Sequence, residues 1–133
     1  MPAFRTVATM KVILPGNRVL VVALNDGAAA RQLAAALPLE LSMSRWGDGE
    51  YYGTLRVPIS SSEGRKEVFE VGEAALWPDG NAFCLFFGPT PASHGTEPRM
   101  ASPGIPLGRV VSGVSVLESL GAAIRVSLKA EPG

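Results

Sequence analysis

Hydrophobic and polar positions alternate with period two over much of this chain, the spacing that sends successive side chains to opposite faces of a strand. Residues 9–14 and 18–24 are both rich in β-forming side chains, and Pro15-Gly16-Asn17 between them is turn chemistry, so the chain opens as a hairpin. Farther on, Leu39, Leu41 and Met43 alternate with Glu40, Ser42 and Ser44, which reads as a half-buried strand. Gly47-Asp48-Gly49 turns the chain, and residues 50–57 return as a second strand before Pro58. Residues 82–87 are apolar throughout, a length and pattern that suit a strand buried on both faces. A strand at 107–111 follows, and Ile124, Val126 and Leu128 alternate with Arg125, Ser127 and Lys129 in the last one.

Helical spacing occurs twice. Ala29, Leu33, Ala36 and Leu37 recur on one helical face, with Asn25 or Asp26 placed to cap the start and Pro38 to stop the run. A second short helix is expected near 114–120. Residues 60–66 form a polar loop, Val68, Phe69 and Val71 lead to Gly72, and residues 74–77 precede the turn Pro78-Asp79-Gly80. Residues 88–106, with prolines at 89, 91, 98, 103 and 106, read as a long loop. The pattern gives about eight strands and two short helices, with no repeat and no dividing linker. Residues 1–133 therefore form one domain, mainly β. A closed barrel is expected, because closure removes the exposed edges of such apolar strands.

Composition narrows the chemistry more than it names it. The 133 residues are 47% hydrophobic and 18% charged, which excludes an intrinsically disordered chain. Twelve basic and twelve acidic side chains balance, so no pull towards nucleic acid or anionic membrane is expected. One cysteine, Cys84, and one histidine, His94, are too few for a closed zinc site, so neither metal nor cofactor is expected. No apolar run has the length of a membrane span, and the chain reads as a cytoplasmic protein. Gly47-Asp48-Gly49 with Gly53 approaches a dinucleotide fingerprint, but it leads into a strand where that motif needs a helix N-terminus.

The segment from Val71 to Pro91, with its Trp77-Pro78-Asp79-Gly80 and Phe83-Cys84-Leu85-Phe86-Phe87-Gly88-Pro89-Thr90-Pro91, resembles the signature of a small prokaryotic family of cyclophilin-like fold and no established function. Trp46-Gly47 with Glu50-Tyr51-Tyr52, and Leu107-Gly108-Arg109-Val110-Val111-Ser112-Gly113, resemble it too, so the likeness spans roughly Met10 to Leu128. The resemblance implies an eight-stranded cyclophilin-like barrel capped by two helices. Peptidyl-prolyl isomerases of that fold carry an arginine followed by Phe-x-x-Gln-Gly-Gly, and a Trp and a His before a Gly-Lys-Val segment. Here residues 43–54 contain no such glutamine segment, and no Trp or His holds the corresponding place ahead of Gly108. No catalytic role is carried over.

Trp46, Tyr51, Tyr52 and Trp77 are the leading candidates for a ligand-facing cluster, because Trp and Tyr join a large apolar body to a polar handle; the alternative is that they fill the barrel or seal its rim. Phe83 and Phe86 either line a pocket or belong to the core. Cys84 is expected to be a small buried hydrophobe, and His94 a solvated loop residue. Glu63, Glu67, Glu70 and Glu73 lie among Arg65 and Lys66 and read as a solvated face. Arg56 and Arg99 have the chemistry to clamp an anion, though both are more often surface residues, and Glu50 or Glu73 with Arg45 or Arg56 are the side chains an unrecognised enzyme would use. The leading expectation is a binding module that holds a peptide or small molecule near Trp46, Tyr51 and Trp77, with a divergent prolyl isomerase as the alternative.

Overall fold

In the computed structural model, which describes residues 8–62 and 64–131, the first hairpin forms as its alternation predicts. Strands β1 (Ala8–Ile13) and β2 (Val19–Leu24) pair antiparallel, and the turn between them puts Gly16 and Asn17 at positive φ, a backbone that Gly and Asn adopt most readily. Helix α1 (Ala28–Ala36) follows. Its N-cap is Gly27 rather than Asn25 or Asp26; the Asn25 side chain instead accepts the Gly27 N–H at 2.9 Å and orders the approach. Strands β3 (Leu39–Trp46) and β4 (Glu50–Thr54) form the next hairpin. After them come β5 (Lys66–Val68), β6 (Glu73–Trp77), β7 (Ala82–Phe86), β8 (Arg99–Ser112) and β9 (Ala123–Ala130).

Every pairing is antiparallel, and the order β2-β1-β9-β3-β4-β7-β6-β8 closes through a β2–β8 ladder into an eight-stranded barrel. Strand β5 lies outside the ring, paired with β8. The second helical segment, Val114–Ser119, is a 3-10 helix between β8 and β9, with Leu117 buried in the main core.

Strand β8 corrects the sequence expectation most. The prolines at 98, 103 and 106 predict a loop over its first half, yet the strand runs for 14 residues. Proline is tolerated where a ladder is irregular, and β8 shifts register against both β5 and β6, with Pro106 beside the second shift. The true loop is the shorter stretch 87–98.

Met10, Val12, Leu20, Val22, Leu41, Met43, Tyr51, Leu76, Phe83, Leu85 and Leu107 fill the barrel interior. A second, smaller apolar layer lies outside it. There Phe69, Ala75, Ala82, Cys84, Phe86 and Met100 pack together with Trp77 at the margin. That outer layer explains why β7 is buried at every position: one set of its side chains faces the barrel and the other faces this layer.

Candidate functional site

Period-two alternation on β3 and β4 decides which candidates share a face. Arg45 is paired with Tyr51, and Trp46 with Glu50. Tyr51 is fully buried in the interior, where its hydroxyl donates to the Gly121 carbonyl at 2.6 Å. Trp46, Glu50 and Tyr52 therefore stand on the outer face. Across the sheet Glu50 pairs with Phe86 and Tyr52 with Cys84, which places the Glu50 carboxyl against the second apolar layer.

An open cleft of about 250 Å³ lies on this outer face, lined by Trp46, Glu50, Tyr52, Trp77, Met100 and Ala101. Gly49 precedes Glu50 in a close backbone approach. A Cβ at that position would stand 2.0 Å from the Gly88 carbonyl oxygen and 2.2 Å from that of Pro89, so only glycine lets the β3–β4 turn lie against the end of β7. The Gly49 carbonyl accepts the N–H groups of Phe87 and Gly88 at 2.8 and 3.3 Å, which fixes the residue immediately before Glu50. On the opposite wall the Trp77 indole donates to Ser102 at 2.7 Å, and the Ser102 hydroxyl donates to Asp79 at 2.6 Å. Gly80 lies against the Trp77 ring, since a Cβ there would come within 2.9 Å of it.

Glu50 is the unusual residue of the cleft. It is only 4% exposed, and its Oε1 is buried without a hydrogen-bond partner. Burial away from water disfavours the charged form and pushes its pKa up to about 7, while the neighbouring Cys84 side chain opposes that rise. Cys84 is fully buried, and its own pKa is pushed well up by burial and by the adjacent Glu50 charge. It is a packed thiol, as its position in an apolar strand implies.

The remaining candidates lie elsewhere. Phe83 points into the barrel, and Phe86 is buried under Phe69, their rings stacked with centroids 4.7 Å apart. Arg45 reaches an end of the barrel, where Nη1 donates to the carbonyls of Glu118 and Leu120, both at 3.1 Å, and Nε to that of Gly47 at 3.0 Å. Its guanidinium lies over the Phe87 ring at 5.0 Å. Arg56 is exposed beyond the end of β4. Arg99 is committed to ion pairs with Glu67 and Glu97. The exposed His94 is held through its backbone: its N–H and that of Gly95 donate to Glu97 at 2.8 Å, and these bonds, the His94 one first, hold the Glu97 pKa down at about 2.

The acidic run is only partly the solvated face expected of it. Glu67 and Glu70 are exposed, and Glu63 lies outside the described residues. Glu73 is buried, its Oε1 accepting from Lys66 at 2.9 Å and from the Glu70 N–H at 2.8 Å. A buried carboxylate is tolerable here because Oε1 accepts from both a cation and a backbone N–H. Among the described residues, no three His, Cys, Asp or Glu side chains gather as a metal site would require, and no helix is long and apolar enough to cross a membrane.

A family model described as cyclophilin-like matches residues 8–129. The chain belongs to the cyclophilin-like family. Its barrel is similar to the solution structure of the hypothetical protein AF2241 from Archaeoglobus fulgidus, at a TM-score of 0.79 and 31% identity, covering 98% of this chain and 100% of that one. No curated protein matches the chain.

In this cyclophilin-like barrel four of the sequence candidates, Trp46, Glu50, Tyr52 and Trp77, line one cleft. Met100 and Ala101 complete it and were missed, since the surrounding prolines disguised the start of β8 as loop. Cys84 was foreseen as buried, but its contact with Glu50 arises from cross-strand register between β4 and β7, which no local pattern encodes.

Proposed function

We propose that this cyclophilin-like protein is a binding module whose outer cleft holds part of a small molecule or a peptide. The observation that carries the reading is the open cleft itself, where two Trp and a Tyr line an apolar surface with a single carboxyl group among them. Aromatic side chains supply large contact area at small cost in conformational entropy, and a few placed polar groups then orient the ligand. A volume of about 250 Å³ lies below the ~300–1,000 Å³ of drug-sized sites, so the cleft suits one side chain or a compact headgroup rather than a dinucleotide.

The geometry favours this reading over prolyl isomerisation. The arginine that peptidyl-prolyl isomerases of this fold use has no counterpart in the lining, and Arg45 is engaged with backbone carbonyls elsewhere. Chemical-shift mapping with a fragment library and short peptides tests the proposal. The expected result is that bound fragments shift the indole N–H signals of Trp46 and Trp77 together with the backbone signals of Met100 and Ala101. Ligands that shift only other surfaces would remove the reading.

A further inference from the structure

The outer cleft combines three aromatic side chains with a carboxyl oxygen that has lost water and gained no partner. Oε1 of Glu50 is buried without a hydrogen bond, although the residue lines an open cleft. An unmet acceptor in such a place carries the desolvation cost of a polar group, and a positive charge seated beside the carboxyl group offsets part of it. Trp46, Tyr52 and Trp77 line the same cleft, and their rings are electron-rich. Aromatic rings grouped about one carboxylate are the surroundings in which organic cations are held, because the ring quadrupole and the carboxylate charge act in the same sense. Among the described residues, no Lys, Arg or His lines the cleft to compete for the carboxylate. Around Glu50, β3 contributes Trp46, β7 contributes Cys84 and Phe86, β6 contributes Trp77 and β8 contributes Met100. Cys84 and Tyr52 are the titratable groups among these neighbours, and neither is a cation.

Resting on the binding-module reading above, we propose that the cleft selects a cationic group, an amine or methylated ammonium carried on a small molecule or side chain, and seats it between the Trp46, Tyr52 and Trp77 rings against the Glu50 carboxylate. The ligand charge favours ionisation of Glu50, so binding releases a proton from the carboxyl group wherever that group is protonated in the free protein. Since free Glu50 titrates near 7, cation binding strengthens as pH rises through that value.

Choline and its uncharged isostere 3,3-dimethyl-1-butanol separate charge from shape, and both are followed by shifts of the Trp46 and Trp77 indole signals. Choline is expected to bind about tenfold more tightly than the alcohol at pH 8, and to lose most of that advantage at pH 5. Glu50→Gln is expected to remove most of the preference and all of its pH dependence, and to change the alcohol's affinity far less than choline's. Equal binding of the two probes overturns cation selection but leaves an apolar cleft, and a choline preference that keeps its full size and pH dependence in Glu50→Gln overturns the Glu50 carboxylate as the seat of the charge. If neither probe moves the indole signals, and the fragment and peptide mapping also misses them, both the cation proposal and the binding-module reading fall.

Discussion

Replacing Glu50 with Gln should change how stability depends on pH in a way that no surface carboxylate would. The folded carboxyl titrates near 7, against an ordinary value of 4.5. Between those two values the native state keeps a proton that the unfolded chain has released. Native Glu50 therefore favours folding least at high pH, and stability falls as pH rises through the window. Each unit of pKa difference is about 1.4 kcal/mol, so the whole displacement caps the effect at about 3 kcal/mol, of which roughly 2–3 kcal/mol develops between about pH 5 and pH 8. The carboxyl group is almost wholly buried, so little screening by solvent reduces that figure. Urea denaturation of both proteins across this range measures it. All other ionisable groups are common to the two chains, so they largely cancel in the difference between the curves. The expected result is a stability difference that shifts in favour of Glu50→Gln by about 2–3 kcal/mol from the acid to the alkaline end. Parallel pH profiles would show that Glu50 titrates as an ordinary solvated carboxylate, and the argument from desolvation would fail.

Three further outcomes follow from the geometry. Arg45→Ala removes a guanidinium that ties backbone carbonyls of the segment following β8 to the β3–β4 turn, and should cost about 2–3 kcal/mol by urea denaturation with fragment binding in the cleft retained; a change within error would mean those bonds are no better than bonds to water. Trp77→Ala should cost about 2–3 kcal/mol, below the full value for a buried aromatic because the ring is partly exposed, and should also weaken binding in the cleft; an unshifted melting temperature with unchanged binding would refute it. Efficient prolyl isomerisation is not expected, since no arginine is among the described residues lining the cleft; a large rate enhancement on Xaa-Pro peptides in a protease-coupled assay, lost in Arg45→Ala, would contradict this.

Alternation alone determined much of this protein. The opening hairpin, the α1 helix, the half-buried β3 and the doubly buried β7 were all legible, because their signals are local spacings of apolar side chains. The same period predicts that Trp46, Glu50 and Tyr52 share one face while Arg45 and Tyr51 share the other, once a single register on the β3–β4 hairpin is known. Tertiary structure decided the rest. Strand β8 exists despite its prolines because its ladders are irregular near them, a compensation supplied by β5 and β6 rather than by β8 itself. Barrel closure through β2 and β8 joins residues far apart in sequence, and burial of Glu73 depends on Lys66 reaching it. Glu50 shows the division most clearly. Its identity as an acid on the outer face belongs to the chain, but its lost water, its unpartnered oxygen and its contact with Cys84 arise only when β7 and the outer apolar layer are packed against it, because desolvation is a property of surroundings and not of sequence.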